Sequence, residues 1–458
     1  MKELDLGTEN IKSLVKRFSI PCIISMVVAA LYNIVDQIFI GWSAAGAYGN
    51  AATNIVYPFT VFALGLALLV GDGAAAGFSI ALGCGNKNIG NGLTILIFSA
   101  IVLCLLGFCF RVEILSMFGG NPEEVECYEY ANTYFKIICA GIPFYMIGQG
   151  LNGAIRADGS PKYAMACTLA GAITNLIFDP VFIFEFGMGV KGAAVATIMG
   201  QILTFAMSVF YLTKAKNFVL DKDSMKPERN TVGRIISVGM ASLIVQLSIV
   251  IIIAVNNNLL TKYGYQTYAS TGEAFGAVIP LAVVGIVMKV FGIVVSIVIG
   301  ISLGGQPIIG YNMGAGNTER VKKTIQLITK LVLFVGIIAF FIFEFVPDAI
   351  IYLFGSHNTA EYMEYARLCI RIFLGGIILT CYIKSAAIIL QSMGNSVKST
   401  ILALLRDVIV FVPASIILAM LSKSIVTMLW AAVISDIISA IVGFLFVRSE
   451  LDNLTTIR

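Results

Sequence analysis

Charge is scarce in this chain of 458 residues. Asp, Glu, Lys and Arg make up 12% of it, whereas hydrophobic residues make up 58%, and the mean hydropathy is +0.92. A soluble globular protein carries roughly 25% charged residues. The deficit argues against a water-exposed globular fold for most of the chain and predicts a surface that faces lipid.

Groups that support catalysis are also scarce. The chain has one histidine, and its nine cysteines show no CxxC spacing, which argues against a zinc site and a disulfide framework. No GxxxxGK[ST] loop is found in the sequence, so the chain lacks the phosphate-binding loop by which that class of ATP-driven pump binds ATP. We therefore expect a protein that is not an enzyme and needs no cofactor beyond a coupling ion.

Long apolar runs are what the chain has instead. A helix needs about 20 apolar residues to cross a bilayer. Continuous apolar runs are typical of helices, whereas strands of membrane barrels alternate in hydrophobicity. The sequence predicts an all-α membrane protein with twelve transmembrane helices, at residues 14–41, 52–82, 93–116, 128–155, 162–186, 190–213, 234–260, 274–304, 323–346, 363–392, 397–421 and 425–448.

Basic residues are distributed unevenly between the two sides of these spans. Lys and Arg are concentrated at the N-terminus and in the even-numbered connections, above all in residues 214–234. The odd-numbered connections are poorer in them, and residues 113–129 are acidic. Because Lys and Arg are enriched on the cytoplasmic side, we expect a multi-pass protein of the cell membrane with both termini in the cytoplasm.

The two halves of the chain resemble each other. GFSIALGCGNKNIGNGLTI follows the second span and GQPIIGYNMGAGNTERVKKTI follows the eighth, while IRADGSPKYAM and LQSMGNSVKST follow the fourth and tenth. Such repeats indicate a duplicated unit of six helices. We predict an N-terminal lobe at 1–213, a cytoplasmic linker at 214–233 and a C-terminal lobe at 234–458. A pseudo-two-fold axis along the membrane normal would relate the lobes, with binding between them.

Two aspartates lie inside predicted spans. Asp36 is the only charged residue within 19–56, and Asp179 is the only one within 163–184. At about 1.5 Å per residue, they lie about 8 Å and about 10 Å from the outer ends of their helices. A carboxylate at such a depth is costly and by default marks a functional site. The alternative is a structural hydrogen bond to a neighbouring helix.

Polar neighbours strengthen the functional interpretation. Asn33 and Asn175 lie one helical turn before the two aspartates, on the same helix faces. Thr197, in the next span, is expected at the depth of Asp179. Pro180 cannot donate a backbone hydrogen bond, so it leaves a carbonyl oxygen without its usual partner. Oxygen ligands of this kind suit a small monovalent cation, or alternatively a shared proton.

The second half contains its own buried charges. Lys289, Lys384, Asp407 and Asp436 lie within predicted spans, and the last three share a depth together with Arg406. One interpretation is an ion-pair cluster that fixes helix packing. The other is that a lysine faces the substrate cavity and contacts an anionic group, which would repel purely cationic compounds.

Several segments together resemble the multidrug and toxic compound extrusion (MATE) transporters. They are NIVD in the first span, NLIFDP in the fifth, KGAAVATIMGQ in the sixth and QPIIGYNMGAGN after the eighth. The acidic pair in the first half resembles the DinF-like branch, and the seventh span lacks the glutamate of the NorM branch. The resemblance implies that Asp36, Asn175, Asp179, Thr197 and the backbone of Ala193 form the cation site. It places Tyr134 nearby and Gln149 at a network position where asparagine is more usual.

The expected function is efflux of organic, cationic compounds in exchange for sodium ions or protons. We expect small-molecule substrates and a monomer in the lipid bilayer, with no nucleic-acid partner. Two alternatives stay open. One is a lipid-linked oligosaccharide flippase, whose cavity would be rich in Arg and Lys; the other is a non-transporting membrane receptor.

Overall fold

The computed structural model describes residues 6–43, 46–83, 90–118, 125–217, 226, 228–267, 279–353 and 360–456, and no strand occurs among them. Numbered in chain order, the helices are α1 (Ile11–Trp42), α2 (Gly46–Gly83), α3 (Gly90–Cys109), α4 (Arg111–Met117), α5 (Val125–Ala157), α6 (Pro161–Pro180), α7 (Gly189–Leu212), α8 (Arg229–Thr267), α9 (Ile279–Gly314), α10 (Thr318–Phe345), α11 (Pro347–Leu353), α12 (Ala360–Phe373), α13 (Ile377–Ser392), α14 (Ser396–Leu404), α15 (Phe411–Ser422), α16 (Ile425–Met428) and α17 (Trp430–Thr456).

The described residues contain ten helices that are long and apolar enough to cross a membrane. An eleventh span consists of Met363–Phe373 and Ile377–Ser392, which meet at a bend of 45°. Helix α5, with 33 residues, packs along α2 and α7 and is not among these spans. The predicted all-α membrane fold is confirmed.

Two spans depart from regular α-helical geometry close to an aspartate. Helix α6 ends at Pro180 and continues as a π-helical turn, Val181–Glu185. Helices α14 and α15 are joined by a second π-helical segment, Leu405–Val410, which contains Asp407. Such π-helical turns often occur at functional sites. By contrast, α1 continues through Pro21 without interruption.

The hydrophobic core is divided between the two halves of the chain. One large cluster of buried side chains comes from residues 40–194 with Ile235, and the other from residues 252–447. Each cluster is formed by helices of one half almost exclusively, as expected for two bundles that pack internally. We call the bundles the N-lobe (α1–α7) and the C-lobe (α8–α17).

Contacts between the lobes are made mainly by α2 with α8 and by α1 and α2 with α9. The backbones approach so closely that only glycine fits. A Cβ atom at Gly239 would collide with the carbonyl group of Leu69, and one at Gly304 would collide with Ser19. Among the described residues, these contacts lie in the half of each helix that is nearer the N- and C-terminal ends of the chain. We call this the terminal side.

The segment before α1 adds to the closure on the terminal side. Asn312 Nδ2 and Arg320 NH2 donate to the carbonyl oxygen of Leu6, each at 3.1 Å, and Arg320 NH2 also donates to the carbonyl oxygen of Glu9 at 2.7 Å. N-terminal residues are therefore held by the C-lobe. These contacts join the two lobes at this end in the part of the chain that the structure describes.

Candidate functional site

The carboxyl groups of Asp36 and Asp179 meet inside the N-lobe. They come from α1 and from the last turn of α6, and their side chains lie in hydrogen-bonding contact with each other. Asp179 is fully buried. Two buried oxygens, Asp36 Oδ1 and Asp179 Oδ2, have no hydrogen-bond donor in the described part of the chain. Such unsatisfied acceptors suit a proton or a cation.

Asn175 connects this pair to the neighbouring helix. Its Nδ2 donates to Asp179 Oδ1 at 3.0 Å and lies 3.3 Å from Thr197 Oγ1 on α7. The position follows from the helix period, since Asn175 and Asp179 are four residues apart on one face of α6. Ala193, fully buried, lies one turn before Thr197 on α7. Four of the five expected ion-site residues are therefore brought together through side chains, and Ala193 lies beside them.

The expected neighbours of the site take different positions. Tyr134 is 8% exposed and lies close enough to both carboxyl groups to interact with them electrostatically. Asn33 Nδ2 donates instead to the carbonyl oxygen of Ala29 at 2.7 Å, in its own helix. Gln149 lines the cavity described below. Pro180 ends α6, where the π-helical turn begins.

A cavity of about 300 Å³ lies between the two lobes. Both lobes contribute to its wall, which includes polar side chains from eight helices. Asn175 and Thr197 are part of this wall, whereas Asp36 and Asp179 lie behind it. The pair is thus separated from the cavity by Asn175, which donates to Asp179, and by Thr197, which contacts Asn175.

The charges of the C-lobe form one connected cluster. Lys384 Nζ lies 2.7 Å from Asp407 Oδ2, and Arg406 NH1 lies 2.7 Å from Asp407 Oδ1. Arg406 Nε also donates to Asp436 Oδ1 at 2.9 Å, and Thr380 Oγ1 donates to Asp436 Oδ2 at 2.7 Å. Two cations balance two carboxylates. This matches the expected ion-pair cluster, although Lys384 and Arg406 also line the cavity.

Lys289 is not part of that cluster. It is partly buried in α9, does not line the cavity, and makes no ion pair among the described residues. The sequence left open which membrane lysine faces the substrate cavity. Of the two, only Lys384 lines it.

A further charged pair, which was not predicted from the sequence, lies at the cavity. Asp72 in α2 and Arg156 in α5 are each 6% exposed, with Arg156 NH2 3.7 Å from Asp72 Oδ1. Ser242 Oγ donates to Asp72 Oδ2 at 3.0 Å, and Gln391 Nε2 donates to Ser242 Oγ at 3.1 Å, which links the lobes. Asp72 lies in the apolar run ALGLALLVGDGAAAGFSIAL, so the rule that identified Asp36 could have found it.

The groups around Asp36 and Asp179 determine which ion this site can bind. It offers two carboxyl groups, an amide and a hydroxyl. No group of three or more His, Cys, Asp or Glu suitable for a metal occurs in the described ranges. Hard oxygen ligands of limited charge suit a monovalent cation such as sodium, or a proton, and the two unsatisfied oxygens match either.

The chain is similar to a known protein family and to known relatives over most of its length. The MatE family model matches residues 21–181 and 276–417. The multidrug export protein MepA of Staphylococcus aureus (strain NCTC 8325 / PS 47) is 24% identical over 447 residues, which cover 96% of this chain and 94% of MepA.

Two solved structures are similar over nearly the whole chain. The crystal structure of MATE in the straight conformation has a TM-score of 0.88 at 23% identity and covers 100% of this chain and 99% of the other. A MOP superfamily transporter from Pyrococcus furiosus, for which reverse polarity of the binding pocket is said to suggest a different function, has a TM-score of 0.85 at 24% identity, with 99% coverage of each chain. These structures share the fold of this chain.

Proposed function

The chain belongs to the MATE family of multidrug efflux transporters, and we propose that it exports small organic compounds in exchange for a monovalent cation bound at Asp36 and Asp179. Transporters of this family are not enzymes. The observation that carries the proposal is the contact between two carboxyl groups, that of Asp179 fully buried and that of Asp36 partly buried, with two buried oxygens that have no hydrogen-bond partner among the described residues.

Charge balance favours an exchangeable ion at this pair. Among the described residues, neither Asp36 nor Asp179 forms an ion pair with Lys or Arg, whereas every carboxylate of the C-lobe cluster does. Two adjacent carboxylates in a low-dielectric interior repel each other unless a proton or cation neutralises them. Sodium and protons would compete for the same oxygens. The location of the pair in the N-lobe also supports the DinF-like branch.

Asn175 and Thr197 provide the connection from ion to substrate. Both side chains line the cavity, and Asn175 also hydrogen-bonds the buried pair. An ion that draws the carboxyl oxygens towards it will move this part of the wall. Coupling requires only that the ion bind one conformation more tightly than the other.

The closure on the terminal side defines the state that the lobes adopt. If both termini are cytoplasmic, as the distribution of Lys and Arg predicts, the cavity is closed towards the cytoplasm and the conformation is outward-facing. The coupling ion would then reach Asp36 and Asp179 from outside. Opening the contacts between α2 and α8 would be the next step of alternating access.

The cavity volume favours a drug-sized substrate. About 300 Å³ lies at the lower end of the range for small-molecule sites. A lipid-linked oligosaccharide is much larger, so the flippase alternative would require a wider opening of the lobes. Three cationic side chains in the wall, including Lys384, are the feature that the flippase alternative would share.

Accumulation assays test the proposed export. Cells lacking their own efflux pumps would express the wild-type protein or the variant Asp36→Asn, and intracellular norfloxacin and ethidium would be measured. We expect the wild type to lower the accumulation of at least one compound several-fold. Asp36→Asn should abolish this effect, because an amide cannot balance the charge of an exchangeable cation.

The variant Lys289→Gln is the control for expression and insertion. It removes a charge from a membrane helix without touching the cavity or the carboxyl pair, and should export like the wild type. Unchanged accumulation with the wild type, together with a cell-envelope defect on loss of the protein, would favour the flippase instead.

A further inference from the structure

The cavity wall exposes more positive than negative groups. Its charged side chains are three cations and one carboxylate, namely Arg156, Lys384, Arg406 and Asp72. The other membrane carboxylates described above, at the ion pair and in the C-lobe cluster, do not line it. Among the charged groups of the wall, a substrate between the lobes therefore meets mainly cations.

Lys384 is the most accessible of the charged groups in the C-lobe cluster. Its side chain is 14% exposed, whereas those of Asp407 and Asp436 are 2% and 1% exposed. The ammonium group has three donor hydrogens, and its contact with Asp407 uses one of them. The carboxylates are thus buried, whereas the Lys384 side chain lines the cavity and its ammonium group has further donor hydrogens.

The cluster tolerates a movement of Lys384. If its ammonium group turns towards a ligand, Asp407 keeps the hydrogen bond from Arg406 NH1 at 2.7 Å, and Arg406 still holds Asp436. Each buried carboxylate keeps a contact with Arg406, and the two carboxylates then share this one cation, which limits the cost of moving Lys384. Arg406 is the structural centre of the cluster, and Lys384 is the member that can be spared.

The single carboxylate of the wall is already neutralised. Asp72 has Arg156 beside one oxygen and receives a hydrogen bond from Ser242 at the other. A purely cationic compound would therefore find no unpaired carboxylate in the wall, and would face Lys384. Rings in the wall, among them Tyr32 and Tyr145, can instead hold an aromatic body.

We propose that the substrates are aromatic or apolar small molecules that carry a carboxylate, and that Lys384 binds this group. The inference rests on the proposed function, because it names the substrate class of the same cavity. Zwitterions belong to this class, since an acid group is required and an additional amine is tolerated. Lys384 is thus a residue that determines specificity, separate from the ion site.

Acid and ester pairs test the proposal by equilibrium binding. Purified full-length protein in detergent would be titrated calorimetrically with norfloxacin and its ethyl ester, and with rhodamine B and its ethyl ester. Within each pair only the carboxylate differs. We expect the wild type to bind each acid at least about tenfold more tightly than its ester, as for a hydrogen bond between charged groups.

Three variants test whether Lys384 causes the preference for acids over esters. Lys384→Gln should weaken binding of the acids about tenfold and leave the esters unchanged, and the unchanged ester affinity also reports an intact cavity. Lys384→Arg keeps the charge and should retain most of the preference. Lys289→Gln, a membrane lysine away from the cavity, should retain all of it. The comparison of acid with ester in the wild type requires no variant to fold.

Two results would overturn the proposal. One is a wild type that shows no preference for the acid in either pair, including a wild type that binds neither member. The other is an equal loss of acid and ester binding in Lys384→Gln, which damage to packing would cause. Failure of the proposed function looks different: binding would prefer acids, yet no ion gradient would drive their transport.

Discussion

Asp179 and Asp407 lie in the fifth span of their respective halves, yet only Asp407 has cationic partners. Asp407 contacts Lys384 and Arg406, each at 2.7 Å, whereas Asp179 contacts Asn175 at 3.0 Å and the carboxyl group of Asp36. Each aspartate lies within or beside a π-helical turn. The corresponding spans thus differ: the C-lobe holds a cluster that neutralises itself, and the N-lobe holds a carboxyl pair with no Lys or Arg partner among the described residues.

Replacement of Asn175 should weaken the coupling of ion to substrate. Asn175→Leu removes the hydrogen bond to Asp179 while keeping a side chain of similar size, and a hydrogen bond to a charged group contributes about 1.5–3 kcal/mol. We expect the flux driven by an ion gradient in proteoliposomes to fall about tenfold or more. The dependence of flux on the concentration of the driving cation should change with it.

Gln246→Leu is the matched control for Asn175. Gln246 lines the same cavity from the C-lobe and makes no hydrogen bond to either carboxyl group in the described part of the chain. It should alter the substrate concentration at half-maximal flux and leave the cation dependence unchanged. If both variants altered cation dependence equally, the specific link through Asn175 would be wrong.

The glycine contacts between α2 and α8 should control closure on the terminal side. A methyl group at Gly239 would overlap the carbonyl group of Leu69, and overpacking of this kind typically costs about 1–3 kcal/mol. Gly239→Ala should therefore shift the protein away from the closed state. Hydrogen–deuterium exchange of residues 66–76 and 232–242 should increase, and transport should slow.

Gly233→Ala provides the comparison on the same helix. A Cβ atom at Gly233 meets no other atom within 4 Å, so the added methyl group is accommodated and the helix is slightly stabilised. Exchange in both segments should match that of the wild type. Equal exchange in Gly239→Ala and Gly233→Ala would show that close approach at Gly239 does not hold the lobes together.

Most of the fold was predictable from the sequence because lipid imposes a simple length and polarity rule on each span. The same rule identified Asp36 and Asp179 through the cost of a buried charge. Arg156 follows the predicted span 128–155, so it counted among the basic residues of an even-numbered connection and not as a partner of Asp72. Depth arithmetic also placed Lys384, Asp407 and Asp436 together correctly.

Rotation of helices about their axes was the part that sequence could not provide. Whether Lys384 or Lys289 faced the cavity depended on packing between α9, α13 and α14. A span that is apolar on nearly every face does not show which face packs against other helices. The orientation of Asn33, which hydrogen-bonds its own helix instead of the carboxyl pair, has the same origin. The π-helical turn after Pro180 likewise changes which side chains of this span share a face.

Transport under single imposed gradients is the most direct test of the ion site. Proteoliposomes containing the wild type, Asp36→Asn, Asp179→Asn or Lys289→Gln would be loaded with norfloxacin and exposed to a sodium gradient or a pH gradient, one at a time. We predict that at least one gradient drives norfloxacin movement by the wild type and Lys289→Gln, and that neither gradient drives it through the two aspartate variants. Gradient-driven transport that persists in Asp36→Asn and Asp179→Asn would contradict an exchangeable cation site at this pair.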